Sequence, residues 1–212
     1  MDCCAAEATN RFFSRWSCTY RKRFRKKGLE KGQKYLVEGI TKSPITAKTI
    51  LENGCGVGAL HLNLLQRGAA SSVGIDIAEG MINEARKLAQ ELGFESKARY
   101  DVGDYVAMNG EIGLSDITVL DKVVCCYEDV NALLQKSIAN TGETYALSFP
   151  NSNPMIKFFF KTQIFISKLL RFSFRPYWHD WEQMCEVIQS NRFREIYGNN
   201  TIVWSIRVYR KQ

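Results

Sequence analysis

The chain has 212 residues, 45% hydrophobic and 24% charged, which suits one large or two small globular domains and excludes a disordered chain, a collagen-like repeat or a disulfide mini-protein. The net charge is +7, and all of it lies in residues 1–45, where 11 Lys or Arg face 4 Asp or Glu. A domain built to hold nucleic acid spreads basic charge over its body, so nucleic acid is not the expected partner. The most apolar stretch, Met155 to Leu170, is broken by Lys157, Lys161 and Lys168, so no span of a bilayer is expected. No secretory leader is evident at the N-terminus. Seven cysteines, an odd number with two adjacent pairs, point to reduced thiols and a cytoplasmic location. No CxxC is present, and no metal site is expected.

In chain order, residues 10–40 read as one or two charged, aromatic helices ended by Ser43-Pro44. Thr49-Ile50-Leu51 reads as a buried strand running into a glycine turn at 54–58. A helix follows over Ala59–Gly68, then a strand over Ser72–Ile77 and an amphipathic helix over Glu79–Leu92. Lys97–Val102 is a third strand, and Asp116–Val124 a fourth with its continuation. Asn131–Ala139 is helical, Thr144–Phe149 a fifth strand, and 155–174 an aromatic helix with its lysines on one stripe. A helix over Asp180–Asn191 precedes two strands, Phe193–Tyr197 and Thr201–Tyr209, turning at Gly198-Asn199-Asn200. Strands alternating with helices imply a parallel sheet covered on both faces, and the short last turn makes the closing pair antiparallel.

The strongest motif is Glu52-Asn53-Gly54-Cys55-Gly56-Val57-Gly58, where a strand hands over to a helix. Glycines there let a ligand approach the backbone. Asp76 ends the next strand, placed to accept both hydroxyls of a ribose. The glycines also satisfy a dinucleotide pattern, so a nicotinamide-dependent oxidoreductase competes. Three features favour S-adenosylmethionine. Glu52 would repel a pyrophosphate but can hold a cationic amino-acid end. A further acid, Asp104, follows the third strand and can accept from an adenine amino group. The chain closes on an antiparallel strand pair instead of a second mononucleotide half.

These residues resemble the class I S-adenosylmethionine-dependent methyltransferases. The resemblance implies an α/β, Rossmann-like fold: a seven-stranded mixed sheet with an antiparallel C-terminal strand, here preceded by an N-terminal helical lid. The expected division is a lid and basic arm over 1–45 and a methyltransferase domain over 46–212, with an insert helix at about 155–174. The implied cofactor contacts are Glu52, Gly54, Cys55, Gly56, Gly58, Asp76, Ile77, Met81, Gly103, Asp104, Tyr105, Leu120 and Asp121. Leu120 to Asp129, Ser148-Phe149-Pro150, Arg175-Pro176-Tyr177-Trp178-His179 and Phe12 to Trp16 further resemble magnesium-protoporphyrin O-methyltransferases and their relatives. Plant-type members carry a histidine just before the tyrosine, and here that position is Cys126.

The expected reaction is in-line methyl transfer, through O-methylation, to a small or medium hydrophobic acceptor. Alignment and desolvation carry most of such a step, and a base is needed only for a protonated nucleophile. Cys126, Tyr127, His179 and Tyr20 are the candidates for the acceptor side. His179 stands at a helix entry, as an active-site group or as a local hydrogen-bonding residue. His61 reads as a packing or surface residue of the helix after the glycine loop. Cys125 and Cys126 are small buried hydrophobes or, alternatively, soft groups for a thiol or arsenic acceptor, and at most one faces the pocket. Nucleic-acid methylation is disfavoured further because no Asn-Pro-Pro-Tyr-like element follows the fourth strand, although binding through the basic arm stays open as a non-catalytic alternative. The basic arm or residues 155–174 could also touch a membrane surface.

Overall fold

The computed structural model describes residues 3–108, 112–169 and 176–212, with the side chains of residues 3–5 and 168 left aside. Arg175 and the end of the expected 155–174 helix therefore lie outside the described residues. Helices α1 (Cys3–Lys27) and α2 (Lys31–Ile40) precede β1 (Thr49–Asn53), α3 (Ala59–Gln66), β2 (Ser71–Asp76), α4 (Glu79–Glu91) and β3 (Ala98–Val102). The chain continues through β4 (Ser115–Asp121), α5 (Val130–Ala139), β5 (Thr141–Pro150), α6 (Pro154–Leu169) and α7 (Trp181–Ser190). It closes on β6 (Phe193–Asn200) and β7 (Trp204–Lys211). No described helix is long and apolar enough to cross a membrane.

The seven strands form one sheet in the order β3-β2-β1-β4-β5-β7-β6. Strands β1 to β5 pair in parallel, and β7 runs antiparallel to both β5 and β6. This is the mixed sheet that the sequence implies. Strand residues point alternately to the two faces, so a strand buried on both sides reads as a continuous apolar run. Ile50 of β1 packs in one layer with Leu36, Leu60, Ile82 and Leu88 of the helices α2, α3 and α4. Its neighbour Leu51 packs in the other layer with Leu133, Ile138, Met184 and Ile188 of α5 and α7.

Several boundaries differ from the sequence expectation: α1 begins at Cys3 and not at residue 10, and β5 at Thr141 and not at Thr144. Strand β4 stops at Asp121, and Val124–Cys126 is a short 3-10 turn instead of strand. Lys122 takes a left-handed φ of 61° there, its N–H donating to the Ser148 hydroxyl at 2.9 Å. The hairpin turn falls at residues 201–203, not at Gly198-Asn199-Asn200, which stay paired to β7. Gly198 marks a close approach: a Cβ on it would meet the Glu195 carboxylate at 2.6 Å.

Helix α1 lies along α4. The N-cap residue of α4, Ala78, has no side-chain acceptor to offer. The first amides of α4 are capped from α1 instead: Glu79 N–H donates to Asn10 Oδ1 at 3.2 Å and Gly80 N–H to Ser14 Oγ at 2.9 Å. Arg21 then pairs with Glu84 and Glu91, each at 2.5 Å.

Candidate active site

One cavity opens at the carboxyl ends of β1, β2 and β4, where the strand order reverses between β1 and β4. Open α/β sheets bind ligands at this switch point. The loop after β1 forms its floor. Gly54 has φ 64° and lies so close to Val123 that a Cβ would come within 2.4 Å of its side chain. Gly56 has φ 54°, and nothing stands within 4 Å of where its Cβ would be. Gly56 lines the cavity, so its bare face is open to a ligand.

Asp76, at the end of β2, pins this loop. Its carboxylate accepts from Gly56 N–H and from Ala78 N–H, both at 2.8 Å. Burial pushes its pKa up to about 6 against the opposing pull of those two bonds. A carboxylate has about four acceptor positions, so two remain for ligand hydroxyls.

Beneath the loop, Glu52 Oε2 lies 2.6 Å from His61 Nδ1 and accepts from the His61 backbone N–H at 3.2 Å. His61 Nε2 lies 2.9 Å from the Tyr100 hydroxyl. All three are buried. Burial raises the pKa of Glu52 against the bonds from His61, and burial likewise holds the Tyr100 proton in place. The second glycine-loop neighbour, Cys55, is kept a thiol by burial and by Asp76 and Glu52.

The other end of the cavity is walled by α1 and α2. Thr9, Phe13, Tyr20 and Phe24 line it from α1. Trp16, at helical spacing between Phe13 and Tyr20, is exposed and off the cavity; the inward stripe follows four- and seven-residue steps. Asp121 accepts from Gln33 Nε2 at 3.0 Å and from the Ser148 hydroxyl at 2.6 Å. Lys122 pairs with Glu30 at 2.6 Å, and Arg23 with Glu30 at 3.2 Å. Burial opposes the Lys122 charge, but Asp121 and Glu30 outweigh it and raise its pKa, so Lys122 stays an ammonium. The Tyr127 hydroxyl donates to Asp104 Oδ1 at 2.6 Å. Burial, then Asp104, pushes its pKa far up, which makes Tyr127 a donor and not a base.

The structure brings Glu52, Gly54, Cys55, Gly56 and Asp76 to this cavity, with Ile77 and Met81 beside them. Gly103, Asp104, Tyr105, Asp121, Cys126, Tyr127 and Tyr20 complete the expected set there. Three expected residues do not line it. Gly58 faces His61 and Tyr100. Leu120 is fully buried in the α5–α7 layer. His179 Nε2 donates to the Tyr127 carbonyl at 2.8 Å, so the imidazole braces the backbone behind the cavity; burial lowers its pKa. Of the adjacent cysteines only Cys126 lines the cavity, with its sulfur 3.9 Å from that of buried Cys125. Contact with Cys126 and burial hold the Cys125 thiol protonated.

Sequence reasoning missed Arg23, Glu30, Gln33, Lys122 and the Glu52–His61 pair. Glu30 and Gln33 carried a signal, the acceptor-x-x-Gln spacing of a capping box at the start of α2. Nothing local in the sequence announced Lys122 or His61.

Residues 50–140 match the model of a family described as a methyltransferase domain. In fold, the chain is similar to magnesium protoporphyrin IX methyltransferase from Synechocystis PCC 6803 with bound SAH, at TM-score 0.69 and 22% identity, covering 85% of this chain and 82% of that one. The chain has the class I methyltransferase fold. Among curated proteins it is 32% identical over 72 residues to ajmaline N-methyltransferase of Rauvolfia serpentina, covering 34% of this chain and 25% of that protein. It is 44% identical over 59 residues to the release factor glutamine methyltransferase of Rhodospirillum rubrum, covering 27% of this chain and 18% of that protein. The chain thus spans a quarter or less of the length of these two curated relatives.

Proposed function

We propose that this chain is an S-adenosylmethionine-dependent methyltransferase that O-methylates a small or medium hydrophobic acceptor by in-line transfer. The observation that carries the reading is the single cavity that unites the open face of Gly56 with Asp76, Glu52 and Asp104. These groups fit the cofactor. Asp76 has acceptor capacity left for ribose hydroxyls, Asp104 suits an adenine amino group, and Glu52 suits the cationic amino-acid end. Glu52 speaks against a nicotinamide dinucleotide, whose pyrophosphate a carboxylate there would repel. When bound, the cofactor supplies an electrophilic methyl on a sulfonium.

The chain's own residues then orient and exclude water. Tyr127 orients Asp104, and Gln33 and Ser148 orient Asp121. Helix α1 acts as a lid whose inner stripe, Phe13, Tyr20 and Phe24, covers the acceptor. No imidazole lines the cavity among the described residues. An ionised carboxylate acceptor needs no base, and Lys122 and Arg23 supply cations beside the apolar wall. The five described cysteines are all free, in keeping with work in a reducing, cytoplasmic setting. The direct test is calorimetry with SAH and with NAD: binding of SAH and not NAD is expected, and the reverse would overturn the reading.

A further inference from the structure

Helix α6 carries two apolar faces, and only one is used. Phe160 and Ser167 are buried on the inner face. Phe160 packs edge-on against Trp178 and Trp204, at 5.8 and 6.4 Å between ring centres. On the other side, Met155, Phe158, Phe159, Phe165, Ile166 and Leu169 are exposed, four of them by 66% or more. Their three- and four-residue spacing puts them on one arc of roughly 120°, at 100° per residue. Lys157 and Lys161 form a stripe between the two apolar faces and are exposed. From Thr144 to His179 the sequence has five Lys or Arg and no Asp or Glu.

We propose that α6 is an interfacial helix that docks this protein on an anionic lipid bilayer. A helix with an exposed aromatic-aliphatic face flanked by lysines, with no acid to repel phosphate headgroups, has the chemistry of a surface-lying membrane helix. The basic end of α1 is the poorer candidate, because Arg21, Arg23 and Arg25 already face Glu84, Glu30 and Glu91. The inner face of α6, opposite the docked arc, is what connects the helix to the cavity. Phe160 of α6 touches Trp204, the Lys122 ammonium lies 5.6 Å from the Trp204 ring, and Lys122 lines the cavity. Resting on the methyltransferase reading, this places the acceptor end beside the lipid surface, from which a hydrophobic acceptor can enter.

Co-sedimentation of the full chain with vesicles tests this. The vesicles are phosphatidylcholine alone or mixed with phosphatidylglycerol. The wild type is expected to pellet with the mixed vesicles, less so at high salt. Phe158→Ser with Phe165→Ser should lower partition roughly tenfold or more, while SAH binding by calorimetry stays at the wild-type level. Lys157→Gln with Lys161→Gln should remove the preference for the mixed vesicles. A wild type that stays in the supernatant, or a Phe158/Phe165 variant that pellets equally, overturns the proposal. So does a wild-type dimer that the same variant turns into a monomer without any vesicle binding, since the face then belongs to a second copy. Loss of SAH binding by the wild type with vesicle binding intact would instead sink the methyltransferase reading alone.

Discussion

At Asp76 one buried carboxylate holds the Gly56 and Ala78 amides and also lines the cavity, where the proposed reading gives it the ligand hydroxyls. Its folded pKa of about 6 lies above the ordinary carboxylate value. The folded state therefore keeps this proton more tightly than the unfolded state, and the group's contribution to stability falls as pH rises from about 4 through 6. Ligand hydroxyls need the ionised form, so the sign for binding is opposite. SAH affinity should rise roughly tenfold between pH 5 and 7 and level off above that, following the ionised fraction of a group near 6. Buried Glu52, shifted in the same direction, adds to the slope. Calorimetry that finds a flat affinity over this range contradicts the assignment. Asp76→Ala should weaken SAH by about 1.5–3 kcal/mol, the scale of charge-assisted bonds lost. His61→Leu leaves Glu52 and Tyr100 without their buried partner, and should cost about 2 kcal/mol or more in urea denaturation. An unchanged midpoint would mean that the pairing is incidental.

The glycine loop and α1 carry the element-scale predictions. Gly56→Val should abolish SAH binding while leaving a cooperative melt, because the new side chain enters open cavity space at φ 54°. A variant that binds normally means that the loop does not cradle the ligand. Gly80→Ala acts from the far side: its Cβ would lie 2.8 Å from the Ser14 backbone. It should push α1 off α4, raise amide exchange in residues 10–27, and weaken SAH without unfolding the sheet. In the wild type, exchange protection of α1 should increase when SAH binds. Protection that does not change would make α1 a fixed wall and not a lid. These elements were legible to different degrees. Strong periodicity gave α4 to within a residue, whereas the end of β4 depended on the left-handed Lys122 and its tertiary bond to Ser148, which no local pattern encodes.

Across the whole molecule, the sheet and the strand-end residues that line one end of the cavity were readable because they are written in short contiguous motifs. Glu52, the glycines, Asp76 and Asp104 each stand at a strand end, and strand ends of a parallel sheet meet at one edge. The end of the cavity walled by α1 and α2 was not readable in the same way. It joins Arg23, Glu30 and Gln33 to Asp121 and Lys122 across some 90 positions of sequence. His179 went astray for the related reason that its partner, the Tyr127 carbonyl, is 52 residues away. The central claim, that this cavity binds S-adenosylmethionine for methyl transfer, is tested most directly by calorimetry of the wild type against Gly56→Val, with SAH and NAD as ligands. The account predicts that the wild type binds SAH and not NAD and that the variant binds neither. Binding of NAD alone, or equal SAH binding by both proteins, would contradict it.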